Sequence, residues 1–367
     1  MGDLRMKFRN WVLGFLLVSL VGCQSVETGF VDVDGGRIYR DLSGKQVYGI
    51  QDIEGDTYCF DDQGFMVHGF FKDSYFDESG RMVKGFYTIE DVQYYFDESG
   101  RMVKDTKMPY EGNRLARFDE SGKMEVIADA QYLQNQVASI VSKYEGSVSV
   151  YFKDLASDEA FYLNPRNYYP CCMIKVPAAA ALMEAIGHGE FSYEAYRHYI
   201  DPMIIVSDNT SFNKMMKVLG HGDGPAGMKR VNDLAMRLGL ASTWADHGLR
   251  PGEEYFSSGG SNQSSAKDLG VIFEMIYKKQ LVGSDTILNL LLQCDDDDEL
   301  MRGLPAGTSF ANKTGCAYAL YHDGGIVYGP VSDYILVVFQ DGVKNHQSMM
   351  EEISAFVYNY MNNEKGA

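Results

Sequence analysis

Tyr169-Pro170-Cys171-Cys172-Met173-Ile174-Lys175 opens a mainly apolar run, Val176 to Ile186, and on this stretch the reading of the last two-thirds of the chain turns. The run places Cys172 in the first turn of a helix. A helix N-terminus favours the thiolate, and Lys175, three residues on, shares the same face. Alone, Cys-x-x-Lys fits a small buried cysteine beside a solvated lysine better than a catalytic pair. Two further elements weigh against that bland reading. Ser207-Asp208-Asn209 follows Met203-Ile204-Ile205-Val206 and opens a helix through Phe212 and Met215, and Lys313-Thr314-Gly315 ends a strand that starts at Thr308. The first by itself is a common helix cap. All three in this order, at this spacing and on plausible elements, make a chance occurrence improbable.

Working outward, Leu133, Val137, Ile140 and Val141 give a helix over Ala130 to Tyr144. Val148 to Phe152 and Ala160 to Tyr162 read as paired strands, and a long, mainly helical middle follows. Thr308 to Thr314, Gly325 to Tyr328 and Tyr334 to Gln340 read as further strands, before a closing helix over His346 to Met361. The order predicts an α+β domain, an antiparallel sheet flanked by helices.

The three elements match the S-x-x-K, S-D-N and K-T-G set, and residues 128–367, to about residue 362, resemble the class A β-lactamase-like, penicillin-binding-protein superfamily. Tyr169-Pro170, Ser264 to Leu269 opening a later helix, Gly303 to Gly307 before Lys313, and Gly325 to Tyr328 support the likeness. The resemblance implies a β-lactamase/transpeptidase-like fold and gives each residue a role. Cys172 stands in place of the acylated serine, Lys175 is its base or thiolate partner, and Ser207 relays a proton to the leaving group. Asn209 and Thr314 hold polar groups of the substrate, Lys313 supplies positive potential and Gly315 open backbone. The backbone N–H groups of Cys172 and Cys316 form the oxyanion hole. The substrate it implies is a β-lactam or a peptidoglycan-type peptide, with no cofactor and no metal.

Two departures stand out. No Glu-x-x-Leu-Asn appears, although Asp246, Glu253 and Glu254 fall in the right interval, and the nucleophile is a thiol. A thiolate can carry acyl transfer, so the expected function is a surface-anchored acyl-transfer hydrolase. The alternative is a non-catalytic wall-binding lipoprotein with a degenerate domain. Cys316 also has the sequence position for a bridge to Cys171 or Cys172. His247 and His346 read as surface or capping residues, and Asp295 to Glu299 as a solvated loop.

Residues 29–127 repeat. Phe76-Asp77-Glu78-Ser79-Gly80-Arg81-Met82-Val83-Lys84 recurs at Phe96 to Lys104, with looser copies at Phe60 to Phe70 and Phe118 to Met124. Each copy reads as a β-hairpin, an aromatic strand joined to a second strand by an acidic turn closed by glycine, and the hairpins stack as a short solenoid. The pattern Tyr-Tyr-Phe-Asp-x-x-Gly-x-Met resembles choline- and glucan-binding repeats of Gram-positive surface proteins. That likeness implies a cell-wall polymer as partner, held by Tyr58, Phe70, Phe86, Tyr94 and Tyr95 through cation–π or stacking contacts. A plain spacer is the competing reading.

Arg5, Lys7 and Arg9 precede an apolar run from Trp11 to Leu20, and Leu20-Val21-Gly22-Cys23 resembles a lipobox. Residues 1–22 therefore read as a lipoprotein signal peptide, Cys23 as the lipidated membrane anchor and 23–28 as a linker, which puts the protein outside the cytoplasm. Removing residues 1–22, where Asp3 is outweighed by Arg5, Lys7 and Arg9, takes the formal charge from −18 to −20. That charge argues against nucleic acid. The expected form is a monomer.

Overall fold

The computed structural model describes residues 27–295 and 299–362, so the signal peptide and the Cys23 lipidation site lie outside the described residues. The chain divides into two units. One runs through Lys104 and takes in Glu120–Lys123; the other holds Asp105–Asp119 and everything from Met124.

In the first unit, four antiparallel hairpins follow one another: Gly29–Val33 with Gly36–Arg40 (β1, β2), Gly49–Ile53 with Asp56–Phe60 (β3, β4), Gly69–Phe71 with Ser74–Phe76 (β5, β6), and Gly85–Ile89 with Val92–Phe96 (β7, β8). Hairpins are present as expected, but the acidic turn is not their main corner. The strands join through two-residue turns such as Glu54-Gly55 and Glu90-Asp91, where φ is positive at both residues. These pairs vary between copies, so sequence repetition hides them. The acidic turn instead links one hairpin to the next. Asp77 Oδ1 accepts from the amides of Ser79 and Arg81 at 2.9 Å each and from Ser79 Oγ at 2.6 Å, and Asp97 repeats the arrangement. The methionine after each such turn donates its N–H to the preceding hairpin: Met66 to Arg37 O, Met82 to Thr57 O and Met102 to Asp73 O.

That methionine also explains the glycine. A Cβ added at Gly80, Gly100 or Gly122 would lie 2.5, 2.1 or 2.6 Å from the sulfur of Met66, Met82 or Met102, and all three glycines have positive φ. Each methionine covers the glycine of the next copy.

The second unit begins with a three-stranded sheet, Thr106–Tyr110, Arg114–Phe118 and Met124–Ile127 (β9 to β11). Asp129 caps the helix Ala130–Val141 (α1) by accepting from Tyr132 N. Ser147–Asp154 and Ala160–Leu163 (β12, β13) follow. The helical part holds Lys175–Gly187 (α2), Tyr193–Ile205 (α3), Asn209–Leu219 (α4), Gly224–Arg237 (α5), Ala266–Tyr277 (α6) and Ser284–Leu291 (α7). Ser309–Ala317, Leu320–Tyr328 and Tyr334–Asp341 (β14 to β16) and His346–Asn362 (α8) complete it. The main sheet is antiparallel with order β13-β12-β16-β15-β14, the α+β architecture that the sequence predicts.

Strand β16 shows why helices cover both faces. Tyr334, Leu336 and Val338 enter one core with Leu133, Ile353 and Val357, while Ile335, Val337 and Phe339 enter the other with Met173, Ile272 and Phe273. Period-two alternation with both sets apolar leaves no wet face.

Strand β14 runs past the point where the sequence ends it. Cys316 pairs with Tyr321 and Ala317 with Leu320, so Lys313-Thr314-Gly315 lies inside the strand. The turn that closes this hairpin is Tyr318-Ala319, with Tyr318 at φ 56°, and it carries no glycine, asparagine or aspartate to announce it.

The methionine-over-glycine contact yields a stability prediction. Gly100→Ala places a methyl group into Met82 at a left-handed backbone position and should cost about 1–3 kcal/mol. Calorimetry should show the transition of the hairpin unit lowered and that of the larger unit unmoved.

Candidate active site

Residues Cys171–Ile174 form a short 3₁₀ turn that runs directly into α2. Cys171 sits at φ 50° and is buried. The partly buried Cys172 thus stands at the head of the helix, as expected, and Lys175 lies beneath it. Strand β14 approaches closely: a Cβ at Gly315 would lie 2.9 Å from Cys172 N and 3.0 Å from the Cys171 Cβ. Only glycine allows that approach.

Lys175 has no exposed surface. Its Nζ is 3.3 Å from Cys172 Sγ, 2.8 Å from Asn209 Oδ1, 2.6 Å from the Ser207 carbonyl and 3.1 Å from Ser207 Oγ. Ser207, at φ 56°, turns both oxygens toward the ammonium. Asp208 caps α4 by accepting from Ser211 N at 2.6 Å, which sets Asn209 at the first helical position. Cys172 Sγ is 3.6 Å from Asn209 Oδ1.

Burial alone pushes the Cys172 thiol up, but the Lys175 ammonium, a hydrogen bond from Ser207 and the Lys313 charge outweigh it and bring the thiol below its usual value. Burial lowers Lys175 to about 8 against the opposing pull of Cys172. Cys171 is pushed up by burial and then by its sulfur neighbours, and stays a thiol. The two adjacent cysteines therefore have opposite characters.

Lys313 and Thr314 are buried within β14. Lys313 Nζ is 3.9 Å from Cys294 Sγ, a thiol that no sequence motif singles out, since it merely follows α7. Cys316 is exposed. None of the five described cysteines is in a disulfide, so the bridge that the position of Cys316 allows is not formed.

Of the three carboxylates in the interval where a water-activating base was sought, Glu253 is exposed and the other two have partners. Asp246 Oδ2 accepts from Gly260 N at 2.8 Å, and Glu254 pairs with Lys217. Buried Asn213 organises this loop, donating to Leu249 O and Glu253 O and accepting from Leu249 N at 2.8 Å. His247 is not a solvated surface residue: its ring stacks on Tyr169 at 5.8 Å, and its Nδ1 donates to the Gly248 carbonyl at 2.6 Å. Burial first, then the nearby thiols, pushes Tyr169 up to about 12.

His322 was missed by sequence reasoning, which begins this strand at Gly325, whereas the strand starts at Leu320 and includes the histidine. It is 1% exposed and stacks on Phe339 at 4.2 Å. Its Nε2 donates to the Tyr169 carbonyl at 3.0 Å, and its Nδ1 accepts from Gln340 N at 3.2 Å, which fixes a neutral tautomer. The imidazole ties β16 to the turn that carries the nucleophile. Burial lowers it to about 4, against hydrogen bonds at Tyr169 and Tyr321 and the charge of Asp341.

In the hairpin unit, the expected aromatic residues come together in part. Phe70 meets Tyr75 at 4.9 Å and Tyr94 of the next hairpin at 5.6 Å, and Phe86 meets Tyr95 at 4.8 Å. Tyr58 is buried and joins Phe30, which also meets Tyr39; both contacts are 5.0 Å. Sequence reading had not named Phe30, Tyr39 or Tyr75. In the second hairpin the corresponding pair is Ile50 and Cys59, which cannot build an aromatic wall.

Two predictions follow from these environments. Lys175→Met removes the charge that holds the Cys172 thiol down, so at pH 7 its iodoacetamide alkylation should slow about tenfold for each unit that the pKa rises; an unchanged rate would mean that the lysine does not set the thiolate. For His322 the folded state disfavours a proton that the unfolded chain binds. Stability should therefore fall as pH drops from about 6.5 to about 4 and level off below. His322→Gln should flatten that part of the slope in thermal unfolding followed against pH.

Comparison with known proteins agrees with this geometry. A family described as a beta-lactamase enzyme family matches residues 131–200 and 195–361, and a choline-binding repeat matches residues 83–128. No curated protein matches the chain. Among solved structures, PBP-A is 20% identical with a TM-score of 0.55, over 62% of this chain and 95% of that one. A mutant of PBP-A is described as an acyl-enzyme complex with penicillin G. The TLA-3 extended-spectrum beta-lactamase is 17% identical with a TM-score of 0.55, over 63% of this chain and 99% of the other. A beta-lactamase from Chitinophaga pinensis is 20% identical with a TM-score of 0.53, over 62% and 97%. At such identities the likeness shows the fold.

Proposed function

Because the chain belongs to the beta-lactamase enzyme family, we propose that its larger unit transfers an acyl group from a β-lactam or a cell-wall peptide to Cys172. The observation that carries this reading is the Lys175 Nζ to Cys172 Sγ contact of 3.3 Å inside a buried network that also holds Ser207 and Asn209. A thiolate there attacks the carbonyl carbon, and the N–H groups of Cys172 and Cys316 receive the oxyanion. Ser207 Oγ, 3.1 Å from Lys175 Nζ, passes a proton to the departing nitrogen as the carbonyl re-forms. Lys313 supplies charge for a substrate carboxylate, with Thr314 and Asn209 as hydrogen-bonding partners.

Release of the acyl group by water is the slow step in this reading, since Asp246 and Glu254 are held by other partners. The acyl-enzyme complex described for a PBP-A mutant is the precedent for a long-lived intermediate on this fold. The hairpin unit, by its likeness to a choline-binding repeat, holds a cell-wall polymer, with Phe70, Tyr75 and Tyr94 as one aromatic wall. Lipidation at Cys23 anchors the chain to the outer face of the membrane, where the monomer meets both wall and substrate.

Intact-mass spectrometry after incubation with a penicillin tests the chemistry. The wild type should gain one acyl mass that Cys172→Ala lacks, and the adduct should persist for many minutes. No adduct on the reduced wild type, with one on Cys172→Ser, would sink acyl transfer through the thiol and favour a cleft that binds without reacting.

A further inference from the structure

The loop between α5 and α6 carries three side chains that the reaction drawn above does not use, and they touch in series. The Arg250 guanidinium lies over the Tyr255 ring at 3.8 Å, Tyr255 meets the His247 ring at 6.1 Å, and His247 stacks on Tyr169 at 5.8 Å. Tyr169 stands three residues before Cys172, close enough that, after burial, the sulfurs of Cys171 and Cys172 raise its phenol. The series therefore runs from the nucleophile turn to a guanidinium at the surface, since Arg250 is exposed.

The backbone is fixed on both sides of Arg250. Buried Asn213 donates to Leu249 O at 3.0 Å and to Glu253 O at 2.9 Å, and Glu253 N donates to Thr210 Oγ1 at 3.1 Å. A Cβ added at Gly252 would lie 3.0 Å from the Asn209 Cβ, and Asn209 Oδ1 is 3.6 Å from Cys172 Sγ. The loop thus reaches the nucleophile by two independent routes, through Tyr169 and through Asn209. Arg250 is also left without a carboxylate: Glu253 and Glu254 follow within four residues, yet Glu254 pairs with Lys217, and Arg250 forms no ion pair among the described residues. Stacking occupies the face of a guanidinium and leaves its N–H edge available to a carboxylate in bidentate fashion.

We propose that Arg250, seated on Tyr255, binds a carboxylate on the acyl side of the substrate, so that the site selects acyl donors with a negative charge on each side of the scissile bond. The proposal rests on the acyl-Cys172 reading above, in which Lys313 takes the carboxylate on the leaving side. Lys313 belongs to the strand that meets Cys172 at its backbone nitrogen, and Arg250 to the loop that meets it through Asn209 at the sulfur, so the two cations reach the cleft from separate walls. Tyr169 and His247 supply a flat surface between the acyl-side carboxylate and the scissile carbonyl. Among cell-wall peptides this favours one whose acyl-side residue keeps a free carboxylate, and among penicillins one with a carboxyl group in its side chain. Arg250 acts in binding and takes no part in bond making.

The test compares benzylpenicillin with its α-carboxyl and α-amino derivatives, which differ in the charge beside one phenyl ring. Acylation rates are read by intact-mass spectrometry on the full chain, and each is divided by the benzylpenicillin rate of the same protein, which cancels any general loss of reactivity. The carboxyl derivative should exceed the amino derivative by roughly tenfold in the wild type. Arg250→Gln should bring that ratio to about one, and Arg250→Lys, which keeps the charge without the fork, should fall between. Tyr255→Leu keeps the guanidinium and removes its seat, so it should lower the ratio too; an undiminished ratio there would reduce Arg250 to a contribution of net charge and overturn the subsite. A wild type without preference, or a preference that survives Arg250→Gln, would overturn it as well. If no penicillin acylates the protein, the reading of Cys172 fails, and titration calorimetry on Cys172→Ala decides the present proposal. There the carboxyl derivative should bind roughly tenfold more tightly than the amino derivative only while Arg250 is present, and equal affinity, or no binding of either, would sink it.

Discussion

One buried ammonium organises the larger unit. Lys175 belongs to α2, yet its acceptors come from the 3₁₀ turn before that helix, from the left-handed Ser207 and from the first residue of α4. Taking a lysine charge out of water costs several kcal/mol unless partners replace the lost hydration. The segments that supply those partners therefore cannot drift apart without exposing the cost. Asp208 fixes the start of α4 through its cap, Asn213 on the same helix pins the following loop, and His322 holds the other end of the nucleophile turn. Geometry that would otherwise be a chance meeting of loops becomes a condition for burying one charge.

The same network explains why a thiol is tolerated at this position. A hydroxyl needs a base to become a nucleophile, whereas a thiol needs only a nearby positive charge and some relief from desolvation. Cys172 has that environment, and Cys171, one residue earlier, has the opposite one. Identity of the side chain says little here; the strained turn decides which sulfur faces the ammonium.

How much of this was legible in the sequence follows from the range of each interaction. The nucleophile helix, the capped α4 and the strand β16 rest on local patterns, and the sequence shows them. The extent of β14 was not legible, because its turn is Tyr318-Ala319 and backbone pairing, not turn chemistry, sets where it closes. His322, Cys294 and the His346–Glu299 pair act on residues distant in the chain, and no spacing rule reaches them. In the hairpins, repetition drew attention to the acidic turn, while the corners that make the hairpins differ from copy to copy and so left no pattern.

The three-stranded sheet β9 to β11 has a practical side. Its residues belong with the larger unit: Arg114 donates to the Tyr360 carbonyl and lies over that ring at 5.1 Å, and Tyr360 Oη donates to Asn113 O while accepting from Asp129 N, each at 2.8 Å. The intervening Glu120–Lys123 belongs with the hairpins, where Gly122 receives Met102. The polypeptide thus passes between the two units three times within twenty residues. Neither unit can be excised at a single peptide bond without taking something from the other, and a gene truncated at residue 128 would deprive the last helix of the arginine and the carbonyl that Tyr360 binds. Recombination that shuffles such a domain between surface proteins has to carry the segment from 105 onward.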